Sequence, residues 1–167
     1  MSNNILITGS PASGKTTLLE KLILNIPDKK GFITREIREA GRRRGFEIVT
    51  SDGERKPLAG IDIDSPYRVS KYKVDVRGFE NVIERFFSFS ENDVLYIDEI
   101  GKMELFSDSF KDLVTEYLAA DNLFIATIAM KAGDTFIRDI KKRSDVTVYG
   151  IDQNNRDEVY EQLLTML

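Results

Sequence analysis

Residues 5–26 read ILITGSPASGKTTLLEKLILNI. Ile5 to Thr8 form a short β-branched run. A Gly/Ser/Pro cluster follows, and from Lys15 to Ile26 the apolar positions Leu18, Leu19, Leu22, Ile23 and Ile26 repeat with helical spacing. Strand, glycine-rich turn, helix is the opening of an α/β nucleotide-binding domain. The turn GSPASGKT at 9–16 fits G-x-x-x-x-G-K-[ST] at every defined position. Gly9, Ser10, Pro11, Ala12, Ser13 and Gly14 are expected to curl so that backbone amides face phosphate oxygens. Lys15 would meet the β- and γ-phosphates, Thr16 would place its hydroxyl on Mg²⁺, and Thr17 would complete the binding segment. The helix adds the positive end of its dipole. Ala12 and Ser13 are expected to point outward.

A P-loop needs an acidic residue at the end of a neighbouring strand. DVLYIDE at 93–99 supplies a buried-type strand followed by two carboxylates. Asp98 is assigned to Mg²⁺ with Thr16. Glu99 either polarises the attacking water or caps the next turn.

Composition narrows the chemistry. With 167 residues, 41% hydrophobic and 31% charged, the chain is expected to be one globular domain, 1–167. It has neither cysteine nor histidine, which excludes disulfides, thiolate zinc sites and histidine catalysis. A net charge of −4 makes nucleic acid an unlikely partner. No apolar run approaches the roughly 20 residues that span a bilayer. The opening MSNNILITGS lacks the basic and apolar regions of a signal peptide, so a cytoplasmic protein is expected, with monomer as the default.

Residues 31–76 differ from the rest. Short β-type runs alternate with turn chemistry such as Ala40-Gly41 and Ser51-Asp52-Gly53, which predicts an antiparallel hairpin or meander inserted in the core. Arg42, Arg43 and Arg44 fall at its tip, either as a solvated loop or against phosphates or a partner. Helices are expected at 78–88, 109–120, 135–142 and 155–167, and strands at 93–97, 122–129 and 145–149. Buried strands alternating with helices imply a mostly parallel sheet flanked by helices.

Four ordered blocks then carry a resemblance: GFITREIREAGRRRGFEIVT at 31–50, YKVDVRGFE at 72–80, VLYIDEIGKMELFS at 94–107 and IKKRSDVTVYGIDQNNRD at 140–157. They resemble a family of small nucleoside-triphosphatases of thermophilic archaea and bacteria, known in vertebrates as cancer-related nucleoside-triphosphatase. The resemblance implies a single RecA-like P-loop domain. It implies slow Mg²⁺-dependent hydrolysis of ATP, GTP and other triphosphates such as CTP and UTP, with no strict base preference. The family's loop often has Pro-Gly where this chain has Pro11-Ala12.

Further residues have more than one reading. Lys102 reaches the phosphates or pairs with Glu104. Thr34, Glu36 and Arg38 share one strand face, which looks either into the cleft or to solvent. Lys131 follows a strand whose carboxyl end should line the crevice. Arg138 and Arg143 are candidates for a cis-acting arginine or for helix C-terminal partners, and Arg143 is favoured because it lies in a resembling block. NNRD at 154–157 outlines a guanine-reading motif without its lysine, and Asn154 or Asn155 reads better as a helix N-cap. Two rival functions stand beside hydrolysis. One is a P-loop small-molecule or nucleotide kinase with RDIKKR at 138–143 as its lid. The other is an RNA-associated nucleotide switch using the basic tip.

Overall fold

β1 (Asn4–Thr8) buries nearly all of its side chains, as a strand covered on both faces must. The computed structural model describes residues 3–131 and 133–167. After β1 the chain curls through 9–14 into α1 (Lys15–Ile23), whose Leu18, Leu19, Leu22 and Ile23 are buried. Then come β2 (Lys29–Glu39), β3 (Arg42–Thr50), β4 (Arg55–Gly60), β5 (Arg68–Val69), β6 (Tyr72–Val74) and α2 (Val76–Ile83). The second half holds β7 (Val94–Ile100), α3 (Asp108–Ala119), β8 (Phe124–Ile128), α4 (Thr135–Lys141), β9 (Val146–Gly150) and α5 (Arg156–Leu164).

Among the described residues the nine strands form one sheet, ordered β5-β6-β4-β3-β2-β7-β8-β1-β9. β1 pairs in parallel with both β8 and β9, and β7 pairs in parallel with β8 and with the first part of β2. β2 changes role along its length. Lys29–Phe32 run parallel to Val94–Ile97, and Phe32–Glu39 run antiparallel to β3. The expected β insertion is thus an extension of the core sheet, and it begins ahead of residue 31. Its hairpin closes through Ala40 and Gly41, both at positive φ (49° and 77°). A two-residue turn between twisted strands needs that geometry.

Two apolar layers cover the sheet. α2, α3 and α4 pack on one face around Phe32, Phe79, Phe86 and Phe110, and α1 and α5 pack on the other with Ile5, Ile7 and Tyr96. Rings of the first layer meet at 5.6–6.3 Å, within the range of favourable aromatic pairs. Each fully buried side chain of this kind contributes about 1.5–3 kcal/mol. Asp75, Ser107 and Asp134 cap α2, α3 and α4 by accepting from backbone amides. α1 has no side-chain cap; Gly14 stands at its N-cap position. Its first amides are left for another acceptor.

Candidate active site

The loop at 9–16 leaves the carboxyl end of β1 at the foot of α1. Ser13 N donates to Ser10 O at 3.1 Å, and Gly14 adopts φ +95°, the left-handed conformation glycine takes without steric penalty. At Gly9 space decides. A Cβ there would lie 2.6 Å from Ile151 O and 2.6 Å from Ser13 Oγ. Ala12 is exposed, as expected, at φ 63°. Ser13 is not: it is buried, its hydroxyl lies over Gly9, and that hydroxyl has no hydrogen-bond partner among the described residues. The left-handed turn at Ala12 swings the next side chain inward, which corrects the outward placement expected for Ser13.

β7 delivers the acidic pair, joined by a cis peptide bond. Asp98 is 2% exposed. Thr16 Oγ1 donates to Asp98 Oδ2 at 2.9 Å, Thr34 N donates to the same oxygen at 3.3 Å, and Thr127 Oγ1 donates to Oδ1. Thr34 Oγ1 also donates to Asp98 O at 2.7 Å. Burial nonetheless pushes the Asp98 carboxyl up to about 6, the Thr127 and Thr16 hydrogen bonds opposing it and the Glu99 charge adding to it. Glu99 is about a third exposed and pairs with Lys15 at 3.2 Å. The Lys15 ammonium also donates to Gly9 O at 3.1 Å.

Beyond this centre opens a cleft of about 400 Å³, whose lining includes Thr34, Glu36, Phe46, Lys102 and Glu104. Of the alternating face on β2, Thr34 and Glu36 therefore look into the cleft. Arg38 keeps to the same face but lies farther out toward the tip, where its guanidinium donates to Glu36 and to Gly41 O. Lys102 lies in the cleft wall. Glu104 is buried there, and burial, then the Glu99 charge, holds its carboxyl well above the usual range.

Arg143 stands at the wrong end of the sheet. Asn4 is level with Val146 at the amino ends of β1 and β9, and Asn4 Nδ2 donates to Asp145 O at 3.1 Å. Arg143 forms a two-pronged pair with Asp145 just there, at 2.8 and 2.6 Å. The phosphate loop is at the carboxyl ends, so the cis-acting role expected for Arg143 has no geometry behind it. Arg138 is exposed on α4 and donates to Thr135, and Lys131 is exposed in the turn after β8. A cation that sequence reasoning passed over lies at the edge of the cleft instead. Lys141 Nζ donates to Ala129 O at 2.6 Å and Met130 O at 3.2 Å, beside the cleft that Ala129 lines. Burial, then the charge of Lys15, holds its ammonium below the usual range. Within a run of four basic residues among six, nothing local distinguishes it.

Asn155 does stand at the N-cap position of α5, but its amide is spent otherwise: Oδ1 accepts from Asp152 N and Nδ2 donates to Gly150 O. Thr16 and Asp98 offer oxygen only, the donor type of hard divalent cations. Among the described residues no three His, Cys, Asp or Glu side chains converge as a metal cage. No described helix is long and apolar enough to cross a membrane.

Residues 4–164 match the protein family described as NTPase. The nucleoside-triphosphatase THEP1 of Thermotoga sp. (strain RQ2) is 43% identical, over 98% of this chain and 94% of that one. The cancer-related nucleoside-triphosphatase of Homo sapiens is 34% identical, over 99% and 96%. The crystal structure of THEP1 from the hyperthermophile Aquifex aeolicus superposes with a TM-score of 0.88 at 34% identity, over 98% of each chain.

Proposed function

The chain belongs to the NTPase family of nucleoside-triphosphatases, and from that premise we propose that it cleaves ATP, GTP, CTP and UTP to the diphosphate and phosphate, with Mg²⁺, slowly and with broad base tolerance. One observation carries the reading. Thr16 meets Asp98 at 2.9 Å and Lys15 meets Glu99 at 3.2 Å, so both pairs stand side by side above the phosphate loop.

The roles follow from that arrangement. The amides of 9–17 and the uncapped start of α1 hold the phosphates. Thr16 and Asp98 would hold Mg²⁺, which when bound would supply positive charge to the phosphate oxygens. The fit is chemical: two oxygen donors are present, one a buried carboxyl that a cation would compensate. Such cations take one or two protein carboxylates and fill the rest with water and phosphate rather than needing a cage.

Lys15 leaves Glu99 for the γ-phosphate when the substrate enters. Glu99 then accepts a proton from the water that attacks the γ-phosphorus. The new P–O bond forms as the bond to the β–γ bridging oxygen breaks, and the diphosphate leaves with that electron pair. Lys15 and Lys141 offset the charge that builds on the transferring group. Residues 1–167 act as one catalytic unit, proposed to be a cytoplasmic monomer, in which the 31–76 segment forms a wall of the cleft.

The rivals lose support in particular places. In the 138–143 run proposed as a kinase lid, Arg143 is paired with Asp145 at the opposite end of the sheet and Arg138 donates to Thr135 on its own helix, so neither arginine stands over the phosphate loop. At the basic tip, Arg43 pairs with Glu36, and Arg44 with Glu39 and Asp62, which leaves less charge for RNA.

The test is phosphate release from each of the four triphosphates with Mg²⁺ and no acceptor. It is run on the wild type, Lys15→Ala and Glu99→Gln. Release from several nucleotides, lost in both variants while Glu99→Gln still binds, is the expected result. No release from a protein that binds ATP sinks the hydrolase mechanism.

A further inference from the structure

The catalytic centre uses one side of the phosphate loop, and the other side carries its own feature. Lys15 and Thr16 face β7, through Glu99 and Asp98. A triphosphate with its γ-end at those residues must send its nucleoside away from β7. On the side turned toward α5, Gly14 leaves room that a guanidinium fills: a Cβ at Gly14 would lie 3.1 Å from Arg156 Nη1 and 3.6 Å from Arg156 Cδ. A groove of about 150 Å³ runs there, with Gly14, Thr17, Arg156 and Tyr160 in its walls.

Arg156 is exposed, and its side chain has no ion pair or hydrogen bond among the described residues. Arg35, Arg43, Arg44, Arg55 and Arg85 are all held by carboxylates. Arg156 keeps its charge free even though Asp157 is its neighbour in the groove. Tyr160 follows one helical turn later on α5, so the two side chains share a face. A flat cation and an aromatic ring flanking one groove suit a flat, electron-rich ring. A guanidinium stacks on any such ring without reading its edge. The amide best placed to read an edge, that of Asn155, is committed at both ends.

We propose that this groove seats the nucleoside half of the substrate, with Arg156 stacking on the base whatever its identity. The proposal rests on the triphosphate reading above and assigns the half of the ligand that the phosphate loop does not bind. It gives base tolerance a physical cause: contact through the ring face, not through hydrogen bonds to its edge.

Direct binding separates the possibilities. ATP, GTP and inorganic tripolyphosphate, each with Mg²⁺, are titrated into the wild type, Arg156→Ala and Arg156→Lys, with thermal unfolding as a folding control. Expected is a loss of about tenfold in affinity for ATP and GTP alike in Arg156→Ala. Tripolyphosphate affinity and melting temperature should stay at wild-type values, and Arg156→Lys should not restore the loss, since lysine keeps the charge and lacks the plane. Unchanged ATP affinity in Arg156→Ala overturns the proposal. An equal loss for tripolyphosphate, or full rescue by Arg156→Lys, overturns it too, because either makes Arg156 a phosphate contact. A wild type that binds tripolyphosphate but not ATP more tightly removes the nucleoside site and leaves the phosphate loop standing. A wild type that binds neither removes the triphosphate reading itself.

Discussion

Replacing Gly9 with alanine tests whether the phosphate loop works by close packing. The new methyl would start 2.6 Å from Ile151 O and 2.6 Å from Ser13 Oγ, where ordinary contact begins near 3.4 Å. Neighbours must therefore give by about 0.8 Å. The serine can turn, but the carbonyl cannot move freely. It is backbone, and Ile151 N is tied to Thr8 O at 2.8 Å, one residue before the glycine. Strain of this kind costs about 1–3 kcal/mol. For a chain of this size that lowers the melting temperature by roughly 2–12 °C. The loop moves instead, and a displacement approaching 1 Å at a phosphate-positioning segment lowers kcat by roughly ten- to a hundredfold. Gly150→Ala is the paired control, since a Cβ there meets nothing within 4 Å. It should leave activity intact and stability unchanged or slightly raised. Thermal unfolding and steady-state phosphate release on both variants decide the matter. Wild-type melting temperature and kcat in Gly9→Ala would refute the packing argument, and so would equal damage in Gly150→Ala.

Three further outcomes follow from the site. Glu104 carries a folded-state pKa raised above its ordinary 4.5, first by burial and then by Glu99, so the stability it contributes is complete below about pH 4.5 and is lost as pH rises toward the folded value. Glu104→Gln should match the wild type in urea unfolding near pH 4 and exceed it increasingly toward pH 8; parallel curves across that range would refute the assignment. Thr127→Val keeps the shape of a fully buried side chain but removes a hydrogen bond to the Asp98 carboxylate, and should cost about 1.5–3 kcal/mol at pH 8; a loss below about 0.5 kcal/mol would mean the carboxylate does not depend on it. Lys141→Met should lower kcat about tenfold or more while ATP affinity stays within about threefold, and an unchanged kcat would show that Lys141 only ties down the Ala129 and Met130 carbonyls.

What could be read from sequence, and what could not, divides by the range of the forces involved. The curl at 9–14 is local: glycines at fixed spacing and a helix start set it. Asp98 was readable because an apolar run that ends in a carboxylate has few places to put it except a strand end. Thr34 was within reach, since strand alternation put it on one face with Glu36, though only pairing with β7 shows that the face looks toward Asp98. Arg38 lay beyond reach, because alternation gives its face but not where along that face the cleft ends, and Arg38 lies past that end, against Glu36 and Gly41 O. Thr127 donates to Asp98 from β8, a strand that reaches β7 only through sheet order. The hardest case is the choice between Lys141 and Arg143, two residues apart in one basic run. α4 ends at Lys141, whose side chain still reaches back to the carbonyls after β8, while by Arg143 the chain has descended to the amino end of β9. Arg143 was favoured because it lies in a block that resembles the family. Where the helix stops decides against it, and a boundary shift of one or two residues lies within the error of any periodicity argument.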